Sequence, residues 1–382
     1  MISISKLYCG LAGESDHLRY AGKREIGPIV VYNSTRRCNL RCLHCYSASD
    51  GVSTDDELTT EQASTMLSQL PAVNAPVALF SGGEPLLRSD LFELLEEAKR
   101  LRLRTVISTN GTLIDEAVAR RLAKADLSYA GISIDGPEPF HDQFRQKEGA
   151  FRASLQGMAN CNKAGVRTGL RFTVTKDNAR YVSDVFDIAA AAGIRRICFY
   201  HLIRTGRAEQ MDDERPTRQQ TRDVIDTILD RTREAVEKGR VDEVLTVGNH
   251  ADGPYMLLRM ENEGSDLLGK ARELLLVRGG NKTGIKISCV SWDGQVYADQ
   301  FWRNYPLGNV RERSFADVWL NENDAVLNKI RDKSGHADPR CRKCKWFDLC
   351  KGNYRFLGSE TADQYWLNEP ACYLADEEIR LA

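Results

Sequence analysis

"TRRCNLRCLHCYS", residues 35–47, sets Cys38, Cys42 and Cys45 at spacings of four and three. In a reducing cytosol, thiols packed this tightly read as metal ligands rather than as halves of disulfides. With His44 inside the motif, three thiolates and an imidazole would fill a tetrahedral zinc site. His44 is the immediate neighbour of Cys45, however, which makes it awkward for both side chains to reach one small ion. A cube of iron and sulfide is large enough to collect thiolates at these spacings. Such clusters prefer four thiolates, so three leave one iron with an open position that a substrate can occupy. An open iron implies catalysis.

The surroundings of the loop point to a parallel sheet. From residue 27 to about 205, short β-branched runs alternate with amphipathic stretches, the pattern of βα units. The runs are "PIVVYNS" (28–34), "PVALFS" (76–81), "RTVIST" (104–109), "YAGISID" (129–135), "TGLRFTV" (168–174) and "RRICFYHL" (195–202). Between them lie helices such as "TTEQASTMLSQL", with a Thr and a Glu near its start, and "RSDLFELLEEAKRL", which Ser89 or Asp90 can cap. Right-handed crossovers curl such strands in one sense, giving an open barrel or a doubly wound sheet. In barrel folds the loops after the strands carry the chemistry. Here the cysteine triplet follows the first run, "SGGEP" (81–85) the second, "STNGT" (108–112) the third and "SIDGP" (133–137) the fourth. Four unusual loops at one edge argue for one site. Gly82 and Gly83 let backbone carbonyls approach a ligand, and Glu84 offers a counter-charge to an ammonium group.

Beyond the sixth run, residues 214–240 read as a charged helix and 241–285 as a less regular bridge. Asp293-Gly294 divides two alternating runs in "IKISCVSWDGQVYADQ" (285–300) as a tight hairpin turn would. A helix is expected over about 314–331. The expected divisions are therefore an N-terminal segment (1–26), a partial barrel (27–213), a helical or irregular bridge (214–284) and a C-terminal cysteine-bearing domain (285–382).

Composition narrows the partners. The 382 residues are 42% hydrophobic and 28% charged, with 53 basic and 54 acidic side chains and a formal charge of -1. That balance offers no broad footprint for nucleic acid or for an anionic membrane, and favours a small-molecule partner. No apolar run approaches the roughly 20 residues of a membrane span, and the start "MISISKLYCG" lacks the regions of a secretory signal, so the expected compartment is the cytoplasm. Of the 11 cysteines, Cys341, Cys344, Cys350 and Cys372 form a second group, while Cys9, Cys161, Cys198 and Cys289 are scattered. Four thiolates make a closed site, for zinc or for an iron–sulfur cube. Cys161 and Cys198 lie in apolar patterns and read as small buried hydrophobes, as does Cys289.

Cys38-x3-Cys42-x2-Cys45, with aromatic His44 before the last cysteine and "GGEP" after the second strand, resembles the cluster loop of radical S-adenosylmethionine (SAM) enzymes. The resemblance implies an α/β fold, a partial (βα)6 barrel. It also implies a 4Fe-4S cluster whose open iron chelates SAM and cleaves it to a 5'-deoxyadenosyl radical. By the same resemblance His44, Gly82, Gly83, Glu84, Ser108, Asn110, Ser133, Asp135 and Arg171 line the SAM site. The second cysteine group resembles the auxiliary-cluster segment of SPASM-type members of that family, implying a SPASM or twitch-like subdomain with a second 4Fe-4S cluster. A further auxiliary cluster would need cysteines beyond Cys289 around the hairpin, so one is expected.

The stretches "ISKLYCG" (4–10), "FSGGEPLLR" (80–88), "NHADGPY" (249–255), "ADQFWR" (298–303) and "EPACYLADEEI" (369–379) are similar to radical SAM enzymes that remodel siroheme-derived tetrapyrroles. This implies an iron tetrapyrrole substrate and a reducing donor such as flavodoxin or ferredoxin. The reaction implied is removal of acetate arms from 12,18-didecarboxysiroheme to give iron-coproporphyrin III. Removal of propionates, as in haem d1 biosynthesis, is the alternative within the group. Carboxylate arms call for guanidinium forks, with Arg204, Arg207, Arg303 and Arg311 as candidates. Tyr200, His201 and His250 are candidates to ligate substrate iron or to move a proton, and Trp292 and Trp302 to stack on the macrocycle. Two other readings compete. A peptide-modifying SPASM enzyme would be expected to begin with a recognition domain that the short segment before the first strand does not supply. A haem or iron–sulfur carrier would have no need of the open-iron loop.

Overall fold

The computed structural model describes residues 1–13, 26–52, 55–211, 214–353 and 371–380. One sheet of 11 strands runs through it. In chain order these are β1 (Ile2–Ser3), β2 (Ile29–Thr35), β3 (Val77–Gly82), β4 (Arg104–Thr109), β5 (Tyr129–Ser133), β6 (Thr168–Val174), β7 (Arg196–His201), β8 (Glu243–Val247), β9 (Ile287–Val290), β10 (Gln295–Tyr297) and β11 (Gly308–Asn309). Their spatial order is β1-β8-β7-β6-β5-β4-β3-β2-β9-β10-β11. All pairs from β2 to β8 are parallel, and six of these strands coincide with the six predicted runs. Helices cover the outer face, and β-branched and aromatic residues such as Val30, Phe80, Ile107, Ile132, Phe172 and Phe199 fill the buried layers.

The sheet is longer than the six βα units predict. The segment expected as an irregular bridge contains β8, paired in parallel with β7, and two helices, Asp252–Asn262 and Leu268–Arg278. "EVLTV" is short and follows a charged helix, so its apolar alternation carried little signal. At the other edge β9 joins β2 in parallel, so the C-terminal hairpin extends the barrel sheet across the expected division at 284. The turn at Asp293-Gly294 is as predicted, with Gly294 in a left-handed conformation. The helix expected over 314–331 is two, Phe315–Trp319 and Ala325–Arg331, the second capped by Asp324.

The start of the chain is structural. β1 pairs antiparallel with β8, and Ile2, Ile4 and Leu7 are buried in the main core. Capping also differs from expectation in detail. Thr59 forms a capping box with Gln62, while the helix Leu91–Arg100 has no side-chain cap, because Asp90 is held by Arg88 and Thr60 instead. Among the described residues no helix is long and apolar enough to cross a membrane. Ile4→Ala should destabilise the fold by about 3 kcal/mol, the usual cost of emptying a buried aliphatic site. Denaturant unfolding of the variant checks it, and an unchanged midpoint would assign the short helix Ile4–Leu7 no share in the core.

Candidate active site

The C-terminal ends of the parallel strands gather the predicted residues. After β2 the chain turns through Cys38, Cys42 and Cys45, whose side chains group with Leu40 and Ala150. The loop is held by its backbone at many points. Cys38 N–H donates to Asp50 O at 2.7 Å, and Leu43 N–H donates to Phe144 O at 3.1 Å. Arg207 donates to Cys42 O at 2.8 Å and to Ser49 O at 2.7 Å. Arg207 is thus a strap of the cysteine loop, and Arg311 likewise donates to the carbonyls of Asp293 and Asp56. Both guanidinium groups expected to meet substrate carboxylates are spent on the fold.

Each sulfur of the triplet has a hydrogen-bonding neighbour. Leu40 N–H approaches Cys38 Sγ at 3.4 Å, Arg145 Nη1 approaches Cys42 Sγ at 3.6 Å, and Ser47 Oγ lies 3.3 Å from Cys45 Sγ. Burial pushes the Cys38 thiol up to about 12 and the Cys42 thiol to about 11, so the bare groups are protonated. Thiols held this way become ligands only when a positively charged centre displaces their protons. His44 turns away from that role. Its ring stacks on Phe144 at 4.6 Å, Nε2 lies 4.0 Å from Asp135, and burial lowers its pKa to about 4. A donor set of three sulfurs, with N–H and O–H groups aimed at them and no imidazole, fits an iron–sulfur cluster rather than a zinc ion.

The glycines of "SGGEP" serve the cysteine loop directly. A Cβ on Gly83 would collide with the carbonyl oxygen of Arg37, and one on Gly82, at φ 116°, with that of Thr35. The Glu84 carboxylate does not face outward as a counter-charge. It is fully buried, accepting from Thr109 Oγ1 at 2.7 Å, Asn110 N–H at 2.8 Å and Leu86 N–H at 3.2 Å, and so ties the β3 loop to the β4 loop. Asn110 spends its amide on Asn39 and Thr112. Arg171 lies inside the barrel between Tyr129 and Tyr200 and donates to Ser108, in space that Gly131 leaves open. Asp135 is fully buried, gripped by Arg145 at 2.7 and 2.8 Å and by Thr173 N–H at 3.0 Å, and Ser133 ends β5 beside it, half-buried.

The second cysteine group also converges. Cys341, Cys344, Cys350 and Cys372 line one small cavity with Trp346, Phe347 and Leu374. Arg340 Nη1 approaches Cys372 Sγ at 3.3 Å, and Trp346 N–H approaches Cys344 Sγ at 3.4 Å. This segment docks on the loop after β8. Asn353 accepts from His250 N–H at 2.5 Å and donates to Asn249 at 2.7 Å, and Asn249 donates to Ala371 O at 2.7 Å. His250 is therefore buried under the C-terminal segment, and burial holds its imidazole neutral. His201, at the end of β7, meets Asp252 Oδ2 at 3.0 Å, and Asp252 Oδ1 accepts from Tyr373 at 2.8 Å. Tyr200 is held protonated by burial.

Sequence reasoning missed Arg145, in an ordinary helical stretch, and did not single out Asp252 and Tyr373 within "NHADGPY" and "EPACYLADEEI"; Trp292 and Trp302, expected to stack on the macrocycle, belong to the core. Both indoles are buried, and Trp292 supports Arg303. Cys161, Cys198 and Cys289 are buried thiols, the last accepting from the Asn33 side-chain amide, Nδ2, at 3.4 Å. Cys9 is partly exposed.

The fold and the open three-thiol loop define an enzyme class. Residues 32–189 match the radical SAM superfamily and residues 284–345 an iron–sulfur cluster-binding domain, SPASM. The chain belongs to the radical SAM superfamily, in the group bearing a SPASM domain, and it works with SAM, a 4Fe-4S cluster and an auxiliary iron–sulfur cluster. It is 45% identical to the Fe-coproporphyrin III synthase of Methanosarcina barkeri, over 99% of both chains. With the pre-heme d1 synthase of Dinoroseobacter shibae it shares 34% identity over 93% of this chain and 88% of that one. A solved structure of anSMEcpe with bound AdoMet has the same fold, with TM-score 0.68 and 22% identity over 90% of each chain.

Two outcomes test this geometry. Gly83→Ala should displace the cysteine loop, so that iron analysis and electron paramagnetic resonance show loss of the N-terminal cluster and retention of the other. Wild-type iron content would overturn the packing account. His141 is buried, accepting Asp135 N–H at 3.1 Å, and burial lowers its pKa to about 3. Below its ordinary 6.5 the unfolded chain takes up a proton that the folded one refuses, so this residue makes stability fall as pH drops from 6.5 towards 3 and contributes nothing above. In His141→Gln, unfolding midpoints measured across that window should fall less steeply.

Proposed function

We propose that this protein removes the acetate side chains of 12,18-didecarboxysiroheme and releases Fe-coproporphyrin III. The observation that carries the reading is the 45% identity, end to end, with an Fe-coproporphyrin III synthase. The site supports it in chemical terms. An acetate arm on an unactivated carbon leaves only after loss of a hydrogen atom, and the cluster with SAM, when bound, supplies a hydrogen-atom abstractor of the required strength.

The chain's own residues hold and insulate that chemistry. Cys38, Cys42 and Cys45 are the ligands of the SAM-binding cluster, and Cys341, Cys344, Cys350 and Cys372 those of the auxiliary one. Ser108 and Arg171, joined to each other, present hydroxyl and guanidinium to the polar end of SAM from inside the barrel. Gly82, Gly83, Asn110 and Ser133 form the rim at the ends of β3, β4 and β5, while His44, Glu84 and Asp135 act from behind it as buried braces. Asp252 orients the imidazole of His201, leaving its Nδ1 to exchange a proton with the macrocycle or its departing arm. Tyr200 and His250 stay neutral walls of the same mouth. The enzyme is read as cytoplasmic, reduced by a small donor such as flavodoxin or ferredoxin.

The 34% identity to a pre-heme d1 synthase supports a second reading, propionate removal from the same kind of tetrapyrrole. Product mass separates the two. Reconstituted protein given reductant, SAM and 12,18-didecarboxysiroheme under anaerobic conditions should yield 5'-deoxyadenosine and Fe-coproporphyrin III. A product lacking propionates instead would move the assignment to the second reading, and an unchanged tetrapyrrole would remove both.

A further inference from the structure

A half-buried arginine with no ion-pair partner among the described residues stands beside the cysteine loop. Arg303 lies in the loop that follows β10, where Asp299 fixes the backbone by accepting from Thr283 Oγ1 at 2.7 Å, Phe301 N–H at 2.8 Å and Trp302 N–H at 3.1 Å. Its guanidinium carbon sits 4.7 Å from the ring centre of Trp292 and 5.6 Å from that of Tyr297. Nη2 donates to Ser291 Oγ at 3.3 Å. Nη1 is sealed from solvent and has no hydrogen-bond partner among the described residues. The acids nearest in this hairpin are committed elsewhere, Asp299 as above and Asp293 to Gln295 N–H at 3.1 Å.

The direction in which this charge is felt places it. Arg303 partly offsets the effect of burial on the Cys289 thiol and on the hydroxyl of Tyr46, the residue after Cys45. Tyr46 also meets Phe301, two residues before Arg303, at 5.5 Å between ring centres. Arg303 therefore stands between the loop of the SAM-binding cluster and the C-terminal hairpin, clamped by two aromatic rings. A sealed guanidinium nitrogen with no acceptor is costly unless an acceptor completes it, and the planar fork of arginine matches a carboxylate.

We propose that Arg303 is the anchor for one carboxylate arm of the tetrapyrrole, received by Nη1. This rests on the function proposed above and adds the point at which the substrate is held. The carboxylate of SAM offers the same chemistry, so the two sources are measured separately. Optical titration of the reconstituted enzyme with Fe-coproporphyrin III and with its tetramethyl ester reads the first, and equilibrium binding of SAM the second. Arg303→Gln should weaken binding of the acid about tenfold or more while leaving the ester and SAM unchanged, with Arg303→Lys falling between. Iron content and circular dichroism like those of the wild type establish that the variants are folded. The wild type's own preference for acid over ester tests the site without a substitution. Equal loss toward acid and ester, loss toward SAM alone, or no loss at all would overturn the anchor. Failure of the wild type to bind either tetrapyrrole would instead sink the functional reading beneath it.

Discussion

The ion pair between Asp135 and Arg145 is the constraint on which the site depends. Both groups are buried, and removing two charges from water costs several kcal/mol each unless the geometry satisfies them. Here Asp135 receives two guanidinium N–H groups and the amide of Thr173, and Arg145 reaches past it to Cys42 Sγ. The helix ending at Arg145 also offers the carbonyls of Phe144 and Arg145 to the amides of Leu43 and Arg41. The loop after β2 is therefore shaped by the unit after β5, across the mouth of the barrel. Its cysteines are positioned by hydrogen bonds from the loop backbone to the carbonyls of Asp50, Phe144 and Arg145.

A second set of contacts makes the C-terminal domain part of that mouth. β9 continues the sheet from β2, and the segment carrying the four other cysteines is pinned to the loop after β8 through Asn249, Asn353 and Tyr373, and to the turn after the helix Leu268–Arg278 through Asn281. His201 is linked to that segment through Asp252. The strand ends that carry chemistry thus double as the docking surface for the domain with the auxiliary site. His201 ends β7 and Arg303 follows β10, so the two lie on opposite sides of the β2–β6 strands in the sheet.

Much of this was legible in the sequence, and the parts that were not have physical reasons. Six parallel strands announced themselves because strands covered on both faces read as apolar runs, and the cysteine spacings are chemistry written in order. β1 and β8 were invisible because two or five residues give too little periodicity, and their strand character comes from their neighbours, β7 for β8 and β8 for β1. Glu84 and Asp135 were read as ligand contacts, since a carboxylate at a strand end looks alike whether it faces a cofactor or braces a neighbouring loop. Only the donors around them decide that, and several of those donors, from Thr109, Asn110 and Thr173, lie 25, 26 and 38 positions away. Gly83 was noticed for the right position and the wrong neighbour, because its missing side chain makes room for Arg37 O.

The pairing of β9 with β2 has a consequence for how the molecule is made. β2 is among the first strands to leave the ribosome, yet the partner for its outer edge is encoded in the last quarter of the chain. Until that partner emerges, the nascent barrel carries an open row of amides and carbonyls beside half-formed cysteine loops, a surface prone to pairing with other chains. The sheet edge closes only when residues 287–290 have been made, so the last quarter of the chain completes the wall beside the first cysteine loop.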